Sequence, residues 1–283
     1  MLASPLRYPG GKAKLFYYFT EVIGLNGLFN RTYCEPYAGG AGLALKLLSA
    51  GFVNRIAIND IDESIYAFWK SVLEQPKAFC DLIATTPATI EEWYAQREIW
   101  RAKDTSNSLR LGFATFFLNR TNRSGIIEGA GPIGGYHQDG PWKLDVRLNR
   151  AQQIQQVMSI ATFADRIEVS NDDALTFTQR KFEEQDTFCY LDPPYYVKGS
   201  KLYRSFYRHK DHCDIAGLLE AYRSSDWVVS YDDVEAIRTI YSAFSPISYS
   251  LSYSAGTKAS GKEVIYFSES IDAPTVPGFS LAA

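Results

Sequence analysis

The sequence predicts an α/β protein built on an open, mostly parallel, Rossmann-like sheet, and three observations carry that prediction. Short runs rich in β-branched and aromatic residues alternate with longer amphipathic ones. Several short runs end on acidic or glycine-rich tips, where an open sheet of this kind keeps its ligands. With 46% hydrophobic residues, a chain of 283 residues can bury a sizeable core. No apolar run approaches the roughly 18 residues needed to cross a bilayer, and no charged start leads into an apolar segment with a cleavage site, so a cytoplasmic protein is expected. Cys34, Cys80, Cys189 and Cys213 form no Cys-x-x-Cys pair, which argues against a disulfide framework or a zinc ribbon. His209, His212 and Cys213 lack a further ligand and are expected as exposed polar residues, with no metal site anywhere.

From the start of the chain, residues 4–12 read as a turn in which Gly10 and Gly11 allow close backbone approach and Lys12 can reach an anion. Leu15, Phe16, Phe19, Val22 and Ile23 recur with a helical period over residues 13–23. Thr32-Tyr33-Cys34 reads as a short strand running into Glu35-Pro36-Tyr37-Ala38-Gly39-Gly40-Ala41-Gly42, followed by a helix over 43–50 that Gly51 closes. Such a strand, glycine loop and helix start offers main-chain N–H groups to a carboxylate or phosphate and lets a ligand lie against the backbone. The glycine spacing differs from Gly-x-Gly-x-x-Gly, which disfavours a nicotinamide cofactor. A second strand over 55–58 ends at Asn59-Asp60-Ile61-Asp62. An acidic residue at that tip, about 20 positions past a glycine loop, is the usual holder of ribose hydroxyls, and Asp60 occupies the place. Asp60 or Asp62 should also cap the helix expected over 63–73.

Between residues 75 and 156 the strand–helix rhythm fails. Trp93, Tyr94 and Trp100 suggest an aromatic-rich helical piece, and 111–118 is strongly apolar. Asn119-Arg120-Thr121-Asn122-Arg123-Ser124-Gly125 and a glycine-rich loop over 129–140 follow, ending in Pro141-Trp142-Lys143. Long irregular loops in compact proteins are usually functional, so this segment reads as an insertion with its own task. Arg120, Asn122 and Arg123 carry the guanidinium forks and amide that read base edges or hold phosphates, with packing as the alternative role. The rhythm resumes with a helix over 148–160 and a strand over 166–170 that ends at Asn171-Asp172-Asp173. Next comes a buried strand over 187–191 leading into Asp192-Pro193-Pro194-Tyr195. Two successive prolines end the strand and stiffen the turn, presenting a carboxylate, bare carbonyls and an aromatic ring. That trio can hold a planar, amino-bearing ring, accepting its N–H bonds while Tyr195 stacks on its face. A helix over 214–222, a strand over 227–231 with Asp232 and Asp233 at its tip, closing strands over 247–253 and 264–268, and a loose tail complete the reading.

The net charge of −3 argues mildly against nucleic acid, but the charges are unevenly placed. Residues 1–18 hold three basic and no acidic side chains, 97–150 nine against five, and 195–212 five against one. A basic stripe on an acidic body follows. In the last segment Tyr195, Tyr196, Tyr203, Phe206 and Tyr207 interleave with Lys198, Lys201, Arg204, Arg208 and Lys210, a mixture suited to backbone charge and unstacked bases.

Tyr8-Pro9-Gly10-Gly11-Lys12, the glycine loop from Glu35 to Gly42, Asn59-Asp60-Ile61-Asp62 and Asp192-Pro193-Pro194-Tyr195 together resemble, in the same order, the motifs of the Dam-like (D12, alpha-group) DNA adenine-N6 methyltransferases. The resemblance implies a Rossmann-like S-adenosylmethionine-dependent methyltransferase sheet with an inserted, mainly helical target recognition domain. Residues 1–75 with 157–272 would form the catalytic domain, 76–156 the recognition insertion and 273–283 the loose tail. By the same resemblance S-adenosyl-L-methionine is the cofactor, contacted by Tyr8, Lys12, Glu35, Tyr37, Gly39, Gly40, Gly42, Asp60 and Asp192, with Asp173 near its adenine. Catalysis would fall to Asp192, Pro193 and Tyr195, acting on a flipped adenine of double-stranded DNA. Arg120, Asn122, Arg123, Lys198, Lys201 and Arg204 would bind the DNA. The family also implies a bacterial or phage-encoded protein with no obligatory partner, compatible with a separate restriction endonuclease.

Two departures stand out. Dam proper carries a basic, GATC-reading hairpin where residues 126–140 are glycine-rich here, so GATC recognition is not expected. Tyr8 stands where the family commonly has tryptophan, which keeps an aromatic wall. The competing readings are adenine methylation in RNA, cytosine N4 methylation, and a catalytically silent DNA-binding regulator; intact Asp192 and the glycine loop speak against the last.

Overall fold

The computed structural model describes residues 1–8, 12–197, 207–252, 260–277 and 279–281. Gly10 and Gly11, and the proposed DNA-contacting Lys198, Lys201 and Arg204, lie outside them. The strands are β1 (Thr32–Glu35), β2 (Arg55–Asn59), β3 (Ile167–Ser170), β4 (Thr187–Leu191), β5 (Trp227–Asp232), β6 (Ile247–Ser252), β7 (Ser260–Phe267) and β8 (Phe279–Leu281). They form one sheet in the order β3-β2-β1-β4-β5-β7-β6-β8. β1 to β5 run parallel, and β7 enters antiparallel between β5 and β6.

Because successive side chains of a strand point to opposite faces, the central strands feed two cores. Tyr33, Ile56, Ile58, Phe188, Tyr190, Val228 and Ile265 face one cluster, while Cys34, Ala57, Cys189, Leu191, Trp227, Val229 and Val264 face the other. The first core is covered by α1 (Phe16–Leu25), α2 (Gly42–Ser49), α3 (Glu63–Glu74) and the helices that follow α3. The second is covered by α8 (Ala174–Glu183), α9 (His209–Ala221) and α10 (Glu235–Ile240). Asp62 caps α3, its carboxylate accepting from Ser64 N at 2.9 Å, which leaves Asp60 for another task.

The segment after α3 is helical: α4 (Pro76–Thr85), α5 (Ile90–Ala102), α6 (Ser108–Thr121) and α7 (Arg150–Ala161). α6 packs along α3, and Gly112 sets the closeness of that crossing, since a Cβ there would stand 2.5 Å from the Ala67 carbonyl oxygen. Trp93, Trp100, Phe113 and Phe116 belong to the same apolar cluster as the sheet's first face.

Three expectations change. Residues 279–281 are not loose but pair with Ile247, Ser248 and Tyr249, because the outer edge of β6 offers unpaired N–H and C=O groups to any extended segment within reach. The last long strand begins at Ser260 and not at residue 264, which brings Glu263 inside the sheet. His212 is buried, not exposed, packed among Tyr196, Tyr207 and Tyr231. Among the described residues no helix is long and apolar enough to cross a membrane.

Candidate active site

The strand order reverses between β1 and β4, which lie side by side with Thr32 opposite Thr187 and Cys34 opposite Cys189. The carboxyl ends of two such strands diverge into loops on opposite sides, leaving a crevice that is the usual ligand site of an open α/β sheet. Here the two loops are the glycine loop after Glu35 and Asp192-Pro193-Pro194-Tyr195 after Leu191. A cavity of about 290 Å³ occupies the crevice, lined by Tyr8, Lys12, Glu35, Tyr37, Gly40, Gly42, Asp60, Asp192 and Pro194 among others.

On the β1 side the loop is held by backbone and by neighbouring motifs. Trp69 of α3 donates its indole N–H to the Gly39 carbonyl at 2.9 Å. Gly39 has φ +45°, and a Cβ there would collide with the Tyr8 ring at 2.4 Å. The glycines therefore accommodate Tyr8 of the opening motif, pressing one wall of the cavity onto another. Asp60 accepts from Gly39 N and from Asp62 N, each at 2.9 Å. Buried Asn59 ties three tips together, donating to the Pro36 and Asp172 carbonyls at 3.1 and 3.0 Å. Burial raises Asp60 to about 7 and Glu35 to about 8, so both carboxylates stand ready to gain from a cation placed beside them. Asp62 differs: burial works against its charge, yet the Lys103 ammonium at 2.7 Å and Ser64 hold it below the usual carboxylate range. Asp173 is exposed and caps α8 through Leu175 N and Thr176 N, with the neighbouring Ala174 lining the cavity.

On the β4 side, side chains do the holding. Lys12, buried to 6% exposure, places its ammonium 2.9 Å from Asp192 Oδ1 and donates to the Tyr195 hydroxyl at 2.6 Å. Ser230 on β5 donates to Asp192 Oδ1 at 3.2 Å, backed by Tyr190 at 2.7 Å from Ser230. The Asp192 side chain retains 24% exposure and so remains reachable from the cavity. Burial and the nearby Glu263 raise its pKa against the opposing pull of Lys12. The loop backbone is fixed by Asp232 at the tip of β5, which accepts from Tyr196 N at 2.9 Å and Val197 N at 3.1 Å.

A family model described as D12 class N6 adenine-specific DNA methyltransferase matches residues 8–254. The chain belongs to that family. No curated protein matches the sequence. Among solved structures, the crystal structure of protein LPL1258 from Legionella pneumophila is 13% identical over 92% of this chain and 86% of that one, with a TM-score of 0.31, too slight a likeness to carry an argument.

The methyltransferase's sequence-predicted residues now have places. Tyr8, Lys12, Glu35, Tyr37, Gly40, Gly42, Asp60 and Asp192 line one cavity, while Gly39 and Tyr195 are not in its lining but bond the lining residues Asp60 and Lys12. Asn122 is overturned as a reader of DNA. It is fully buried, accepting from the Trp93 indole at 2.7 Å and donating to the Ile126 and Ile127 carbonyls at 2.9 and 3.2 Å, so its amide folds the loop. Asn119 is likewise structural, bonding Arg7 N and O at 2.7 and 2.8 Å. That clamp brings Arg7 beside Arg120, whose Nε has no hydrogen-bond partner among the described residues. Burial and the Arg7 charge lower Arg120 to about 10; burial and Arg147 lower Arg7. Arg123 is exposed.

Sequence reasoning passed over Glu263, Asp232 as a loop anchor, Ser230 and Arg7. Glu263 carried one available signal, a carboxylate directly before the apolar run Val264-Ile265-Tyr266-Phe267.

Proposed function

We propose that this enzyme transfers a methyl group from S-adenosyl-L-methionine to the N6 amine of an adenine flipped out of double-stranded DNA. The single observation that carries the reading is the convergence of Asp192 and Pro194 with the glycine loop and Asp60 on one crevice at the sheet's switch point. Bound S-adenosylmethionine supplies an electrophilic sulfonium methyl. Its chemistry suits the lining: Asp60 at the second strand tip for ribose hydroxyls, and the carboxylates of Glu35 and Asp192 for a cationic ligand. Tyr8, Tyr37 and the main chain of Gly39, Gly40 and Gly42 provide the walls.

The N6 lone pair is delocalised into the adenine ring, which makes the amine a poor nucleophile. The Asp192 carboxylate and the Pro193 carbonyl accept hydrogen bonds from its two N–H groups, localising the lone pair toward the methyl in a fixed geometry. The N–C bond would form as the methyl–sulfur bond breaks, the sulfonium leaving as a neutral thioether, and one amine proton would pass to Asp192. Tyr195 offers a face for the extruded ring, which must leave the duplex to reach the crevice.

Arg120, with Arg7 beside it, and Arg123 supply the phosphate-binding charge, and Lys198, Lys201 and Arg204 are assigned to DNA from their sequence alone. Among the described residues no carboxylate pairs with Arg7, Arg120 or Arg123. Residues 76–156 are assigned target recognition on this basis. Expression in a host that lacks DNA methylation, followed by sequencing for N6-methyladenine, tests substrate and motif together. Methylated adenine at one recurring motif supports the reading, and unmodified DNA from active, folded protein contradicts it.

A further inference from the structure

Glu263 is a carboxylate on a strand flanked on both edges, 1% exposed, in a position where an apolar residue would be cheaper. It is fully engaged. Its Oε1 accepts from the Tyr195 hydroxyl at 2.5 Å, its Oε2 accepts from the Tyr249 hydroxyl, and the Lys12 ammonium lies 3.7 Å from Oε2. The same ammonium contacts Asp192 and stands 4.8 Å from the centre of the Tyr195 ring. Every partner except Tyr249 belongs to the machinery at the crevice, and none is near Glu263 in sequence.

We propose that Glu263 is a positioning residue for methyl transfer: acting through the Tyr195 hydroxyl and Lys12, it fixes the ring that receives the target base and holds the ammonium beside Asp192. The inference rests on the methyltransferase reading above. Tyr195 follows two prolines, so the chain sets where its ring begins, and the hydroxyl's bonds to Glu263 and Lys12 help set where the ring ends. Tyr249 holds the other carboxylate oxygen and thereby the orientation of the whole group. A base stacked on a fixed ring presents its amine to Asp192 at one angle; on a loosened ring it samples many, and the alignment needed for in-line transfer is lost. Cofactor binding, held mainly from the β1 side with Lys12 and Asp192 at its edge, should change far less than the transfer step.

The test combines Glu263→Gln, Tyr195→Phe and the double variant in steady-state methylation of duplex DNA by the intact chain. Each single variant should lose about tenfold in kcat with the cofactor KM within about twofold of wild type. The double variant should be no worse than the poorer single, because both substitutions break one connection. Losses that multiply, or full activity in Tyr195→Phe, overturn the proposal, and the latter variant keeps the stacking ring and decides the matter even where Glu263→Gln fails to fold. A pH profile adds a readout that a purely structural role would not move. The titratable groups facing Asp192 are Lys12, Glu35, Tyr190, Tyr195, Tyr249 and Glu263. Removing the Glu263 charge removes a cause of the raised Asp192 pKa, so the acid limb of kcat should move to lower pH in Glu263→Gln. A limb that stays in place contradicts the proposal. If the wild-type chain itself methylates no adenine, the functional reading fails and not merely this extension of it.

Discussion

Asp60 and Asp192 sit at the tips of two parallel strands of one sheet, yet they are held in different ways. Asp60 takes its hydrogen bonds from main-chain N–H groups, those of Gly39 and Asp62. Asp192 takes its contacts from side chains, Lys12 and Ser230, with Glu263 influencing it from behind. A carboxylate held by backbone keeps its place as long as the fold persists. One held by a charged network can be tuned, and broken, by substitutions at distant positions. The difference suits the two tasks proposed for them: a cofactor site needs a constant shape, whereas a site for proton acceptance needs a set charge and direction.

That contrast can be broken most severely at Asp192 itself. Replacement by alanine should cost about 10³-fold or more in kcat, the scale of losing a preorganised acceptor, while cofactor affinity measured by calorimetry stays within a few fold. Asp60→Ala should do the reverse. Loss of a charge-assisted pair of hydrogen bonds should raise the cofactor KM about tenfold or more and change kcat little at saturating cofactor. Equal effects of the two substitutions on both parameters would erase the distinction.

A smaller effect lies outside the crevice. Arg120→Ala should weaken duplex binding several fold and reduce the slope of log affinity against log salt by about one, with cofactor binding unchanged; a salt slope equal to that of wild type would remove Arg120 from the interface. The gentlest test is pH. Glu35 and Asp60 have folded pKa values raised to about 8 and about 7, so between pH 5 and 8 the folded chain binds more protons than the unfolded chain does. Stability of the ligand-free protein should therefore fall as pH rises through that window, and affinity for a cationic ligand should rise. Thermal midpoints with and without S-adenosylmethionine, compared at pH 5.5 and 8, should diverge as pH increases.

The β1 side was more legible in the sequence than the β4 side for a physical reason. A strand, glycine loop and helix are written in consecutive residues, and Asp60 stands 21 positions from Gly39, so local pattern suffices. Asp192-Pro193-Pro194-Tyr195 was equally visible, but its partners were not. Lys12 is 183 positions from Tyr195, and Glu263 is 68 positions beyond it. Only the antiparallel insertion of β7 beside β5 brings Glu263 to the crevice, and no periodicity announces that pairing. Asn122 failed for the complementary reason: an amide among arginines has the chemistry of a base reader, but whether it faces solvent depends on Trp93, 29 positions earlier. The strand at residues 279–281 was missed because three residues of edge pairing leave no pattern to read.

The central claim is most directly tested by incubating purified protein with unmethylated duplex DNA and S-adenosylmethionine labelled in its methyl group, then digesting the DNA and separating the nucleosides. The account predicts label in N6-methyldeoxyadenosine with the wild-type chain and none above background with Asp192→Ala. Label in N4-methyldeoxycytidine, or undiminished adenine methylation by Asp192→Ala, would contradict it.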